Sequence, residues 1–216
     1  MKVLLSELDF GSYLTYTPRP DTDLEKKAKN VMYYLKSERK IGDPSKPMSQ
    51  YIAERINNSL CSLPFNDFFG EDVSLVPVPK SSLTKADTLW VPLKITEAMS
   101  KVNMGSCYPC LKRIAPVQKA AYASASQRPT AQTHFDSIDI NSILPKPTKI
   151  VLIDDVITRG ATMIGCASRL RSFFPEVPIK GFAVMRTMSG TSKFTKIEDP
   201  CVGTINNYSH GTFRTP

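Results

Sequence analysis

Apolar positions recur at helical spacing twice early in the chain. The first set follows a turn, PRPDTD, and continues to about Ser37 with apolar side chains three or four residues apart. Asp21 or Asp23 in that turn could cap the helix. A second set covers residues 49–60, beyond the loop GDPSKP. The pattern predicts two helices, and we expect residues 1–70 to form an N-terminal helical element.

Beyond residue 70 the pattern changes to short, continuously apolar runs that alternate with helical spacing. Continuous apolar runs are typical of parallel strands, because helices cover both faces of a parallel sheet. The alternation predicts an α/β fold with a mostly parallel sheet flanked by helices, formed by residues 71–216. The predicted strands are 73–78, 108–114, 149–153 and 179–186, and the predicted helices are 87–102 and 161–174.

Composition fits a folded domain with an excess of positive charge. The chain has 216 residues, 41% of them hydrophobic, and a net charge of +8. A basic surplus suits anionic partners such as phosphorylated metabolites or nucleic acid, although it also occurs on ordinary soluble surfaces. No apolar run reaches the ~20 residues that cross a bilayer, and the start, MKVLLSELDF, turns acidic too early for a signal peptide. We therefore expect a cytoplasmic protein without membrane contact.

Cysteine and histidine positions give little indication of a metal site. The chain has five cysteines, and an odd number without a signal peptide favours reduced thiols. Cys107 and Cys110 form a lone C-x-x-C without a second ligand pair at standard spacing, so ordinary packing is favoured over a metal or redox role. The two histidines follow no ligand spacing, and we expect His134 in a loop and His210 in a surface tail.

The stretch KIVLIDDVITRGAT, residues 149–162, leads from an apolar strand directly into two adjacent carboxylates, Asp154 and Asp155. Ligands of parallel sheets bind at the carboxyl ends of the strands, which is where this pair lies. A helix follows shortly afterwards, and its free N–H groups and positive dipole end attract a phosphate. The intervening turn supplies hydroxyls, a cation and a glycine that allows close backbone approach. These residues are Thr158, Arg159, Gly160 and Thr162.

This turn combines two kinds of ligand group. Carboxylates accept hydrogen bonds from vicinal hydroxyls and suit a hydrated Mg²⁺, whereas a turn of hydroxyls and N–H groups before a helix suits a monophosphate. A ribose 5-phosphate carries both features. The alternative is an acidic helix cap without a ligand, which the adjacent carboxylates and the T-x-G-x-T spacing disfavour.

VLIDDVITRGAT resembles the phosphoribosyl pyrophosphate (PRPP) signature of the type I phosphoribosyltransferases. That signature is a hydrophobic strand, two acidic residues, two apolar residues and a phosphate loop. The resemblance implies the family's fold, a mostly parallel sheet flanked by helices. It also implies that Asp154 and Asp155 are the catalytic acidic pair, which binds the ribose 2′ and 3′ hydroxyls, and that the loop binds the 5′-phosphate. The loop residues are Thr158, Arg159, Gly160, Ala161 and Thr162.

A second match is SLVPVPKSS, residues 74–82, in the place of the family's pyrophosphate loop. The VPVP run resembles the ComF-like members in particular. The resemblance implies that Lys80, Ser81 and Ser82 bind pyrophosphate; the alternative is a plain strand end with a turn. The chain departs from ComF-like sequences because it lacks the basic run after VPVP and has no cysteine in its first 60 residues, where many of them carry a zinc module. It would then be a divergent relative.

A third, looser match lies in residues 113–135, within a polar stretch that the pattern does not assign. ComF-like chains carry an Arg and a Gln in a mobile segment, and a further Arg several residues before a Phe. Arg113, Gln118, Arg128 and Phe135 correspond to them. Closure of such a loop would exclude water, and the resemblance implies that Arg113 and Arg128 reach the diphosphate. The alternative is a solvated basic loop.

The resemblance covers about residues 73–186 and implies a Mg²⁺-dependent pentosyltransferase, in which an acceptor displaces pyrophosphate from C1 of PRPP. In the family's 6-oxopurine enzymes an Asp stands three positions after the second acidic residue. This chain has Thr158 there, so a hypoxanthine- or guanine-type enzyme is disfavoured. The Lys-rich loop of orotate enzymes is not identifiable either, and the acceptor stays open.

A second interpretation keeps the pocket without the transfer reaction. The same fold could bind PRPP or a nucleotide as a regulatory module in a DNA-uptake or phage-defence assembly. The basic charge and the N-terminal helices, which the resemblance does not explain, favour contact with nucleic acid or a protein partner. Both interpretations have PRPP or a related sugar phosphate as the ligand and exclude membrane contact, and a homodimer is a candidate assembly.

Overall fold

The computed structural model describes residues 2–83, 87–118, 128–141, 146–188 and 194–216. The helices in these ranges are α1 (Asp23–Lys36), α2 (Met48–Ser59), α3 (Val91–Lys101), α4 (Ala131–Asp136) and α5 (Ala161–Phe173). The strands are β1 (Glu7–Tyr16), β2 (Lys40–Ile41), β3 (Lys46–Pro47), β4 (Val73–Pro77), β5 (Ser106–Cys107), β6 (Leu111–Arg113), β7 (Ile138–Ile140), β8 (Lys149–Ile157), β9 (Ile179–Thr187), β10 (Glu198–Tyr208) and β11 (Gly211–Thr215).

Seven strands form a central sheet in the order β11-β10-β1-β9-β8-β4-β5. The pairs from β1 to β5 in this order are parallel, whereas β10 and β11 form an antiparallel hairpin at one edge. Short antiparallel pairs, β2 with β3 and β6 with β7, lie outside it. The predicted α/β fold with a mostly parallel sheet flanked by helices is confirmed.

Both faces of the central sheet are covered by helices. Side chains alternate along a strand, so Val151 and Ile153 of β8 join the core formed with α1, α2 and α3. Ile150 and Leu152 join the core formed with α4 and α5. We call the two sides the α1 face and the α5 face. Because both are buried, β8 needs an uninterrupted apolar sequence up to the point where its site residues begin.

The N-terminal segment differs from the prediction because it starts with a strand. β1 lies inside the central sheet, between β10 and β9, and its sequence, ELDFGSYLTY, has the aromatic and threonine side chains that strands favour. α1 and α2 follow close to their predicted ranges, with Thr22 as the cap of α1 in place of Asp21 or Asp23. The description of residues 1–70 as helical was therefore incomplete, and the boundary at residue 70 stays a prediction.

Most of the other predicted elements are present with small changes of length. The predicted strand 108–114 is an exception, because it shortens to β6 and pairs with β7 outside the central sheet, whose edge strand is β5. α3 starts at Val91, and Pro92 lies in its first turn. The polar stretch that the pattern did not assign contains α4 and β7 in its described part, while 119–127 of the predicted mobile segment lie outside the described residues. Among the described helices, none combines the length and the hydropathy needed to cross a bilayer.

Candidate functional site

β8 continues past its apolar run and includes both carboxylates. The prediction ended this strand at Ile153, but the pairing with β9 continues with Asp154 opposite Ala183 and Val156 opposite Met185. Because neighbouring side chains of a strand point to opposite faces, two acids that are adjacent in sequence have different surroundings. The two side chains leave the strand towards opposite faces, yet their carboxyl groups remain close enough for the charge of Asp155 to act on Asp154.

Asp154 lies on the α5 face, half-buried in the wall of a cavity. Its Oδ1 accepts a hydrogen bond from the backbone N–H of Asp155 at 2.8 Å. Burial, together with the charge of Asp155, raises the pKa of Asp154 well above the usual carboxyl range. No ion pair to Asp154 occurs within the described residues. A carboxyl group in a cavity wall with a strongly raised pKa is a candidate ligand-site residue.

Asp155 is held on the α1 face. Its Oδ2 accepts a hydrogen bond from Nζ of Lys36, the last residue of α1, at 2.8 Å. Its Oδ1 accepts from the backbone N–H of Val156 at 2.7 Å. In contrast to Asp154, it does not line the cavity on the α5 face.

The turn after β8 leads into an uncapped helix N-terminus. Gly160 has a left-handed backbone with φ of 87° and precedes α5, and no side chain caps its first N–H groups. A β-carbon at Gly160 would lie 2.5 Å from Cγ2 of Ile205 on β10. Only glycine combines this φ with such a close approach at little cost. The first-turn N–H groups of α5 are consequently available to an anion, as the turn sequence predicts.

A cavity of about 240 Å³ lies over this helix N-terminus. Three separate parts of the chain form its walls. The first is the end of β8 with the turn, which contributes Asp154 and residues 158–162. The second is the start of α4 with the residues before it, and the third is the turn between β10 and β11. The lining residues from these two parts are Arg128, Pro129, Thr130, His134, His210, Gly211 and Thr212.

His134 lies in the cavity wall rather than in a loop. It belongs to α4, which packs so closely on α5 that a β-carbon at Gly165 would lie 2.6 Å from Cβ of His134. Its Nε2 lies 3.2 Å from Oγ1 of Thr162, while its buried Nδ1 has no partner in the described part of the chain. Burial, and then the charge of Arg113, lowers the pKa of His134 to about 4. The imidazole is therefore neutral at physiological pH.

The β10–β11 hairpin was not predicted from the sequence, and it supports the phosphate turn. Arg214 Nε donates to the carbonyl oxygen of Thr158 at 2.9 Å, and its Nη2 donates to the carbonyl of Thr187 at 2.5 Å. His210, expected in a surface tail, lines the cavity, as does Thr212, whose hydroxyl is buried and has no partner among the described residues. Pro200 and Gly203 in β10 weaken the strand signal, which is why the sequence pattern missed it.

The predicted pyrophosphate residues lie outside this cavity. Lys80 Nζ donates to the hydroxyl of Thr88 at 2.7 Å, and neither Ser81 nor Ser82 lines the cavity wall. Arg113 is buried, and its guanidinium donates to the carbonyl of Lys80 at 2.8 Å and to Ser137 Oγ at 2.5 Å. It thereby supports the loop from inside and has no surface for a diphosphate. Of the predicted basic ligands, Arg128 and Arg159 are exposed at the cavity wall.

The described residues do not form a metal site by themselves. No group of three or more His, Cys, Asp or Glu side chains in the described ranges is arranged to hold a metal ion. One oxygen of Asp155 is also bonded to Lys36. The donor set therefore fits only a cation that arrives with the ligand's own oxygens and keeps most of its waters, as Mg²⁺ does.

No protein-family model and no curated protein matches the chain. Among solved structures, a hypoxanthine phosphoribosyltransferase from Staphylococcus aureus matches in two crystal forms, with 14% identity, TM-scores of 0.33 and 0.34, and coverage of 70% of this chain and 74% and 73% of those chains. A hypoxanthine phosphoribosyl transferase from Trypanosoma cruzi matches with 9% identity, a TM-score of 0.32, and coverage of 82% of this chain and 78% of that chain. Likenesses at this level do not assign a family or an activity to the chain.

Proposed function

We propose that the chain binds PRPP and transfers ribose 5-phosphate from it to an acceptor, with release of pyrophosphate. The observation that carries this proposal is the cavity at the end of β8, in which a partly buried carboxyl group and an uncapped helix N-terminus meet. These are acceptors for sugar hydroxyls and donors for a phosphate, in the wall of one cavity. The PRPP-like signature supplies both groups from consecutive residues.

The phosphate end of the ligand would lie over the start of α5. The backbone N–H groups from Ala161 to Met163 and the hydroxyl of Thr162 are donors there, and Arg128 and Arg159 add positive charge. At about 240 Å³ the cavity is smaller than the roughly 300–1,000 Å³ of typical drug-sized sites. That volume suits the sugar-phosphate end of a ligand, with the remainder lying outside the cavity.

The sugar end would lie against the acidic pair. Asp154 lines the cavity and is expected to take the larger share of the ribose 2′ and 3′ hydroxyl contacts, with Asp155 in a supporting role. In the transfer, the bond between C1 and the pyrophosphate oxygen breaks and its electron pair leaves with pyrophosphate. A lone pair of the acceptor forms the new bond to C1, and a proton on the acceptor atom passes to solvent. The transition state has oxocarbenium character, as in glycoside cleavage. Mg²⁺, when bound with the ligand, would offset the negative charge of the leaving group.

Isothermal titration with PRPP and Mg²⁺ tests the binding step. We expect saturable 1:1 binding by the wild-type chain and no detectable binding by the double variant Asp154→Asn plus Asp155→Asn. Absence of binding to the wild-type chain, or equal binding by both, would overturn the proposal. The Lys26→Met variant, which changes an exposed lysine of α1 away from the site, is a matched surface control.

A PRPP- or nucleotide-binding module without transfer activity is the second candidate. It is favoured by the surroundings of the predicted pyrophosphate residues, because Lys80 is bonded to Thr88 and Arg113 is buried beneath the loop. Release of pyrophosphate in the presence of a panel of bases and amines distinguishes the two functions. Binding without release would favour the regulatory module, and salt-dependent binding of single-stranded DNA would add a nucleic-acid partner.

A further inference from the structure

The ion pair between Lys36 and Asp155 joins the N-terminal part of the chain to the candidate site. Lys36 ends α1, and its partner lies 119 residues later in the acidic pair. The signature that led to Asp155 contains no lysine, so the resemblance gives Lys36 no role. The contact is therefore a property of this chain's own fold.

The charge balance around the acidic pair makes this contact more than a surface ion pair. The side chain of Asp155 is only 14% exposed, whereas that of Lys36 is 47% exposed. Exposed ion pairs contribute little to stability, but a largely buried carboxylate beside a second carboxyl group needs a compensating charge. Within the described residues, Lys36 is the one cation that pairs with either acid.

The ammonium group of Lys36 also has N–H donors beyond the one that bonds to Asp155. The structure records one hydrogen bond from Nζ of Lys36 in the described ranges, and an ammonium has three N–H donors. Burial alone would lower the pKa of Lys36, but the charge of Asp155 and the hydrogen bond to it outweigh burial, so the pKa is raised and the cation is retained. The position at the last turn of α1 favours a cation as well, because the helix dipole is negative there.

We propose that Lys36 is a positioning residue of the sugar-phosphate site: it fixes the Asp155 carboxylate and compensates one charge of the acidic pair, so that an anionic sugar phosphate can approach. The inference rests on the proposed function. Without Lys36, a polyanionic ligand would meet two uncompensated carboxyl groups at the end of β8. The N-terminal segment would then be part of the binding machinery.

Titration of ribose 5-phosphate, and of PRPP with Mg²⁺, into Lys36 variants tests this role. We expect Lys36→Met to weaken binding of both ligands by about tenfold or more, since a charge-assisted hydrogen bond is lost. Lys36→Arg keeps the charge and should bind within about threefold of the wild type. Lys26→Met, on the same helix and in an exposed ion pair with Asp23, should bind as the wild type does. If Lys36→Met melts far below the wild type, Lys36→Gln replaces it in the same comparison.

A double-mutant cycle shows whether Lys36 acts through Asp155. In an Asp155→Asn background, Lys36→Met should weaken binding by less than about threefold, because its partner has been removed. Wild-type affinity in Lys36→Met, failure of Lys36→Arg to restore binding, or full additivity in the cycle would overturn the inference while the proposed function stands. If the wild-type chain binds neither ligand, the proposed function fails, and the inference falls with it.

Discussion

Asp154 and Asp155 are adjacent in sequence and both are half-buried, yet they extend towards opposite faces of the central sheet and differ in their charge partners. Asp155, on the α1 face, accepts a hydrogen bond from Lys36 at 2.8 Å. Asp154, on the α5 face, has no cation partner in the described ranges, and its pKa is raised by burial and by Asp155. One acid is paired directly with a cation, whereas the other has no such pair in the described ranges and is only partly compensated by the charge of Lys36.

The cavity wall around Asp154 also contains two buried polar atoms that the described residues leave without a hydrogen bond. Nδ1 of His134 and the hydroxyl of Thr212 are buried at the cavity without a partner among the described residues, although buried polar groups are normally hydrogen-bonded. Such unsatisfied groups cost stability and are tolerated where a ligand completes them. The comparison therefore indicates that the α5 face of β8 is organised for binding and the α1 face for positioning.

Single substitutions of the two acids should have opposite effects on stability and unequal effects on binding. We expect Asp154→Asn to weaken PRPP binding at least a hundredfold and to leave the melting temperature equal or higher, since a buried carboxyl group is replaced by a neutral isostere. Asp155→Asn should weaken binding about tenfold and reduce stability by up to ~1 kcal/mol, because it breaks the pair with Lys36. Calorimetric titration and thermal unfolding measure both quantities.

Equal binding of PRPP by the two variants would contradict the proposed difference between the two faces. Loss of binding in Asp155→Asn with retained binding in Asp154→Asn would also contradict it, because the ligand would then lie on the α1 face. Asp67→Asn, which removes an exposed ion pair with Lys180, is a matched control and should leave binding unchanged.

Protonation of His134 should destabilise the α5 face in acid. Its folded pKa of about 4 lies below the ordinary histidine value of about 6.5. The stabilising contribution is therefore complete above the unfolded pKa and is lost as the pH falls from about 6.5 to about 4. Wild-type stability should drop by about 2–3 kcal/mol more than that of His134→Gln between pH 7 and pH 4, as measured by urea unfolding.

His210→Gln is the control for the substitution itself, because His210 is the chain's other histidine and is exposed. Parallel pH profiles for the wild type and His134→Gln would contradict the burial of a neutral imidazole against Thr162. Such a result would remove one of the polar groups that distinguish the α5 face.

Local patterns predicted the parts of the site that are continuous in sequence. The apolar run, the two acids and the turn to Gly160 were all identified from residues 149–162, because a strand end and a helix start have short-range signals. The strand's true end was missed, because Val156 and Ile157 continue the pairing with β9 on the far side of the charged residues. Charge in a strand is tolerated where the fold provides a partner such as Lys36.

Long-range packing determined the rest of the site. Lys36, His134 and Thr212 come from three separate elements, two helices and a strand, and only the tertiary packing brings them close to the end of β8 and the turn after it. β10 was missed because Pro200 interrupts a strand pattern. In the structure the pairing of β1 with β10 skips from Ser12–Cys201 to Leu14–Glu198, so the proline lies at an irregularity where the ladder tolerates it. A short stretch of sequence cannot reveal this irregularity, because it depends on how β10 pairs with β1.

The smallest expected effect concerns the hydroxyl of Thr212, which lies on the cavity side of the site. Thr212→Val keeps the shape of the side chain and removes a hydroxyl that is buried without a partner, so stability should be unchanged or rise by up to ~1 kcal/mol. Binding of ribose 5-phosphate should weaken about threefold to tenfold if the hydroxyl serves the ligand, and Thr212→Ser should restore it. Thr15 provides the counterpart, because it is equally buried but its hydroxyl donates to the carbonyl of Lys196 at 2.8 Å. Thr15→Val should cost about 1–3 kcal/mol of stability and leave binding unchanged; if Thr212→Val behaves in the same way, its hydroxyl belongs to the fold and not to the ligand.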